Sequence, residues 1–158
     1  MKIKYYNLYT HFILTTLNRM PLIIEKHRSR IEKYMTGIIN NLDSKLYAIY
    51  ANPEHVHILI SRSPRISEEE ILTKVANSTK KFITDNNLCN NPFAWQESAA
   101  AFSVSKDDVD SVCKYILNQA DHHRKESFAE EYERLMKYYQ KTLQPFKIDN
   151  IRLKTELL

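Results

Sequence analysis

Two histidines one residue apart, His55 and His57, stand at the head of the apolar run Pro53-Glu54-His55-Val56-His57-Ile58-Leu59-Ile60. Alternate side chains on a strand share a face, so His55, His57 and Leu59 fall on one side and Val56, Ile58 and Ile60 on the other. A rise of about 3.3 Å per residue sets the two Cα atoms roughly 6.6 Å apart, within reach of one metal ion. Such pairs also arise on solvated sheet faces, and the spacing alone leaves both readings open. Further along, Val109, Val112, Cys113, Ile116, Leu117 and Ala120 cluster in one direction at about 100° per residue, the buried face of a helix. Tyr115 points about 130° from the centre of that cluster and Gln119, one turn on, about 90° from it. With His122 they form a polar stripe. A tyrosine hydroxyl has a pKa near 10, so as a nucleophile on a phosphodiester it needs help in polarising the phosphate. A divalent ion on His55 and His57 would act as Lewis acid and template, with the Gln119 carbonyl oxygen placed to complete the ligand set.

Positioning these groups requires a sheet and several helices. Tyr6 to Thr16 is rich in β-branched and aromatic residues and reads as a first strand, with Leu8, Thr10, Phe12 and Leu14 on one face and His11 on the other. Ile31, Tyr34, Met35, Ile38, Ile39 and Leu42 recur at helical spacing within a helix over 27–42. Lys45 to Tyr50 forms a second strand, joined by Asn52-Pro53 to the histidine strand as an antiparallel hairpin. Ser67 and Glu70 have the capping-box pattern of a helix ending near Asn86, followed by a fourth strand within Phe93 to Ser105. Ser105 caps the tyrosine helix, and a second capping box, Ser127 to Glu130, opens a last one bearing Phe128, Leu135, Met136 and Tyr139. This order predicts an α+β, ferredoxin-like (RRM-like) fold: a four-stranded antiparallel sheet with helices on one face plus the C-terminal tyrosine-bearing helix. One domain over 1–144 and a tail over 145–158 are expected.

The chain has 158 residues, 43% hydrophobic and 27% charged, enough for one buried core. No apolar run approaches the ~20 residues of a spanning helix, and the N-terminus lacks the apolar stretch of a signal peptide, so a cytoplasmic protein without a membrane partner is expected. Cys89 and Cys113 show no ligand spacing and are expected to be reduced and buried. The net charge of +4 permits a polyanionic partner without requiring one. Gly37 is the single glycine, so turns at positive φ are expected at asparagines, with Asn52, Asn86, Asn87, Asn90 and Asn91 the candidates.

With these motifs in order, the chain resembles the single-tyrosine transposases of the IS200/IS605 type, within the HUH endonuclease superfamily. His55-Val56-His57 resembles the HUH motif and Tyr115-Ile116-Leu117-Asn118-Gln119 the tyrosine helix. Trp95-Gln96, Phe102-Ser103-Val104-Ser105, His122-His123, Ser127-Phe128-Ala129-Glu130-Glu131 and the early His11 with Arg19 are similar to the family's remaining pattern, so that the resemblance spans Tyr6 to Tyr139. It implies metal-dependent transesterification of hairpin-forming single-stranded DNA. Tyr115 would form a 5′-phosphotyrosine link, release a 3′-hydroxyl and later rejoin strands. Magnesium or manganese would be the ion, and a homodimer with active sites shared between subunits the assembly.

The chain departs from the family at two places, with Ala51-Asn52-Pro53-Glu54 and Glu97-Ser98-Ala99-Ala100 where glycines are usual. A stiffened loop there bears on efficiency more than on chemistry, and it motivates an alternative: a domesticated, non-cleaving binder of structured single-stranded nucleic acid. Lys74, Lys80, Lys81, Arg62 and Arg124 are candidates to line a DNA path, against the ordinary reading of solvated charge. His11 and His122 are candidates for orienting metal ligands from behind, against plain polar roles.

Overall fold

The computed structural model describes residues 1–122 and 124–142. Four strands, β1 (Tyr9–Thr15), β2 (Lys45–Ala51), β3 (His55–Ser61) and β4 (Ala100–Val104), form one antiparallel sheet in the order β2-β3-β1-β4. The helices are α1 (Glu25–Asn41), α2 (Glu68–Asp85), α3 (Val109–Leu117), α4 (Gln119–His122) and α5 (Phe128–Thr142). Each connection follows local chemistry. The Ser67 hydroxyl accepts the Glu70 amide at 3.2 Å to open α2, and the Ser105 hydroxyl accepts the Asp108 amide at 3.2 Å to open the 3-10 turn that feeds α3.

Register fixes the two faces. His11 pairs with Leu59, Ile13 with His57 and Thr15 with His55, so His11 shares a face with both other histidines. The opposite face, Phe12, Leu14, Val56, Ile58 and Ile60, packs with Ile31, Met35 and Ile39 of α1 and Ile71, Val75 and Ile83 of α2. α3 crosses the histidine face over β2 and β3, where Val109 and Ile116 meet Ala48, Leu59 and Val104. β3 is therefore covered on both sides, which is why its sequence is a continuous apolar run broken only by the two histidines.

Three expectations are corrected. Leu117 is 58% exposed and Ala120 is exposed, because at the sheet α3 presents Val109, Ile116 and the half-buried Val112, Cys113 and Tyr115 instead. Among the candidate asparagines only Asn87 has positive φ, joined by Asn18, Arg19 and Asp43, while Asn52 is held by side-chain bonds described below. Cys89 and Cys113 are free thiols but half-buried. Burial pushes the Cys113 thiol above its ordinary range, which disfavours the thiolate.

Contacts group the described residues into two compact units, 1–122 and 124–142. In the second, the capping box at the start of α5 is formed: the Glu130 amide donates to the Ser127 hydroxyl and the Ser127 amide to the Glu130 carboxylate at 2.9 Å. The Ser127 hydroxyl, which also donates to that carboxylate at 2.7 Å, and the Ser127 amide together hold the Glu130 carboxyl below its usual range. The expected tail, 145–158, lies outside the described residues.

Candidate active site on the histidine face

His55 and His57 come from the start of β3 and are fully buried. Their rings lie 4.9 Å apart between centroids at 83°, and each has a ring nitrogen within 4.8 Å of one on the other. His11, also fully buried, places Nε2 3.0 Å from Nδ1 of His57 with the rings nearly stacked. One proton is shared in that bond. When it sits on His57 Nδ1 and is donated to His11 Nε2, His57 Nε2 keeps its lone pair for an external partner.

A second set of bonds acts on His55. The Asn52 side-chain nitrogen lies 3.0 Å from His55 Nε2 and 3.1 Å from Gln119 Oε1. A carboxamide NH2 has two hydrogens, so Asn52 donates to both acceptors at once. His55 then carries its proton on Nδ1, 3.3 Å from the Glu54 carboxylate. The His55 nitrogen and the Gln119 oxygen thus aim lone pairs at the same small volume, the arrangement a cation requires. The donor set suits a divalent ion that accepts both imidazole and amide oxygen.

Tyr115 completes the group. Its ring meets the His57 ring edge-on, with centroids 5.9 Å apart and planes at 90°. The structure therefore brings together His55, His57, Tyr115 and Gln119, with His11 behind His57. Tyr115 and Gln119, which a helical wheel sets off the apolar face, meet the sheet, because the surface beneath α3 changes from apolar at Leu59 to polar at the histidines. The helix is interrupted at Asn118, between α3 and α4, and Gln119 on the far side is fully buried.

The other candidates are placed elsewhere. Lys74, Lys80 and Lys81 lie on α2, which packs against the opposite sheet face, and Lys74 and Lys81 pair with Glu70 and Asp85. Arg62 pairs with Glu68 and donates to the carbonyls of Ser63 and Ile66. Arg124 is exposed in the second unit. His122 closes α4, and its side chain lies outside the described residues. Asn52 and Glu54 join the group of side chains around His55 without being site candidates in the sequence. Their proximity to His55 in sequence was visible, but an asparagine before a proline reads first as a turn residue.

The family described as IS200-like transposases matches residues 4–119. Among solved structures, a protein from Deinococcus radiodurans R1 assigned as a transposase is 19% identical, with a TM-score of 0.58 over 75% of this chain and 98% of that one. A REP-associated tyrosine transposase bound to a REP hairpin is 14% identical, with a TM-score of 0.57 over 78% of this chain and 74% of that one. Among curated protein sequences none matches. The family match spans both the histidine strand and the tyrosine helix, and the chain belongs to the IS200-like transposase family.

Proposed function

We propose that this transposase cuts and rejoins hairpin-forming single-stranded DNA, with Tyr115 as nucleophile and His55, His57 and Gln119 as metal ligands. The observation that carries the reading is the convergence of those four side chains within residues 1–122. A bound magnesium or manganese ion would supply Lewis-acid polarisation of the scissile phosphate. The rest is done by the chain. The buried His57 ring, backed by His11, holds the tyrosine ring edge-on, and Tyr115 Oη attacks phosphorus as the bond to the 3′ oxygen breaks. The phenol loses its proton and the departing oxygen ends as a 3′-hydroxyl, so one phosphodiester is exchanged for a 5′-phosphotyrosine and the step reverses at a new junction. The hairpin held by the REP-associated relative supports a hairpin substrate here.

The test is a covalent-adduct assay with hairpin single-stranded DNA and manganese. Wild type is expected to give a protein–DNA band that survives denaturation, and Tyr115→Phe to abolish it while keeping DNA affinity within about twofold, since only one hydroxyl is lost. Binding without any adduct in the wild type would instead mark the non-cleaving binder. A homodimer that exchanges tyrosine helices, as the resemblance implies, reproduces the same contact in trans. Mixing Tyr115→Phe with His57→Ala chains separates the arrangements: adduct regained on mixing marks the exchange, and none marks assembly within one chain.

A further inference from the structure

The face of the sheet that carries the histidines continues, two residues back along β1 from His11, to Tyr9, whose ring meets Tyr47 edge-on at 5.5 Å. Around this pair a hollow of about 830 Å³ opens between the N-terminal segment and the start of β2, lined among others by Lys4, Tyr5, Tyr6, Lys45 and Tyr47. Three of its aromatic rings are open to water: Tyr5 is 82% exposed, Tyr6 41% and Tyr47 37%. Two lysines sit against ring faces, Lys4 at 5.3 Å from the Tyr5 centroid and Lys45 at 5.1 Å from that of Tyr47. Asp43 is the acidic residue in the lining.

We infer that this hollow is a second DNA-binding site, which takes a short run of unpaired nucleotides flanking the hairpin. Exposed rings alternating with ammonium groups match the two repeating features of a single strand, flat bases and phosphates. A folded protein solely seeking stability would cover these rings or replace them with polar residues. Position supports the same occupant. Tyr9 is four residues from Ile13, the partner of His57 in the register, or about 14 Å along the strand, the length of roughly four stacked nucleotides. The face between them is fully buried at His11 and Leu59, the latter beneath α3, so a strand lying on the tyrosines passes around that helix to bring a neighbouring phosphate towards the histidine site. None of the α2 lysines takes part.

The inference rests on the transposase reading, and the experiment separates the two. The full chain is titrated with two fluorescent probes, a hairpin with a six-nucleotide unpaired flank and the same hairpin blunt-ended. The substitutions are Tyr5→Ala with Lys45→Ala, both at exposed positions, and Tyr5→Trp as the variant that keeps a stacking surface. The double variant is expected to bind the flanked hairpin about tenfold or more weakly, with the blunt hairpin changed less than twofold. Its affinity should also fall less steeply with salt, by about one unit of slope for the lost ammonium. Tyr5→Trp should keep wild-type affinity. Equal loss on both probes, or none on either, overturns the site while leaving cleavage by Tyr115 intact. A wild-type chain that neither binds hairpins nor forms the adduct overturns the transposase reading and this inference with it.

Discussion

At the scale of single residues, the position of one proton separates a ligand from a bystander. His57 offers Nε2 to a cation only while Nδ1 holds the proton, and the buried His11 nitrogen at 3.0 Å is the acceptor that keeps it there. On the proposed reading His11 is thus a positioning residue. His11→Ala is expected to weaken manganese binding by about 10- to 100-fold, read by calorimetric titration of the folded chain without DNA. An unchanged affinity would mean that His57 is oriented by something else. The equivalent role for His55 falls to Glu54, whose carboxylate faces Nδ1, while Asn52 bonds the two lone pairs that a cation would otherwise occupy.

At the scale of elements, α1 reaches across to the strand end that carries this turn. The Glu32 carboxylate accepts the Ala51 amide at 2.9 Å, one residue before Asn52, and Arg28 lies over the Tyr50 ring. Burial raises the Glu32 carboxyl above 4.5, with the Ala51 amide and Arg28 opposing. A carboxyl raised in the folded state binds its proton more tightly there than in the unfolded chain. Its contribution to stability is therefore complete below the unfolded value and is lost as pH rises through the folded one. Glu32→Gln keeps an oxygen for the Ala51 amide and removes the charge. In urea unfolding, its midpoint relative to wild type is expected to climb as pH is taken from about 4 to 7. A difference that stays flat across that range would show that Glu32 does not titrate differently on folding.

For the whole molecule, the sheet is a partition with two unlike sides. Ile58 is fully buried in the cluster with α1 and α2, and its neighbour Leu59 is fully buried in the smaller one beneath α3. Ile58→Ala is expected to cost about 2–5 kcal/mol, read as a lower urea midpoint, because the enclosing helices cannot fully close the cavity. A loss below about 1 kcal/mol would mean that the larger cluster collapses readily. No helix among the described residues is long and apolar enough to cross a membrane.

Much of this arrangement is written in local pattern. Period-two and period-3.6 hydrophobicity, together with the serine caps at Ser67, Ser105 and Ser127, specify the element order and place His55 and His57 on one face of a strand, since these depend on near neighbours alone. The pairing of His11 with His57, separated by 46 residues, and of Asn52 with Gln119, separated by 67, depends on register and on how α3 lies across the sheet. So does the direction of Leu117, which an isolated helical wheel turns inward and the folded chain leaves in water. A wheel knows the apolar side of a helix but not that the surface beneath it is half histidine. Sequence by itself determined which residues could do the chemistry, and tertiary packing decided which nitrogen and oxygen atoms face one another, because burial makes each polar group find a partner wherever the fold brings one.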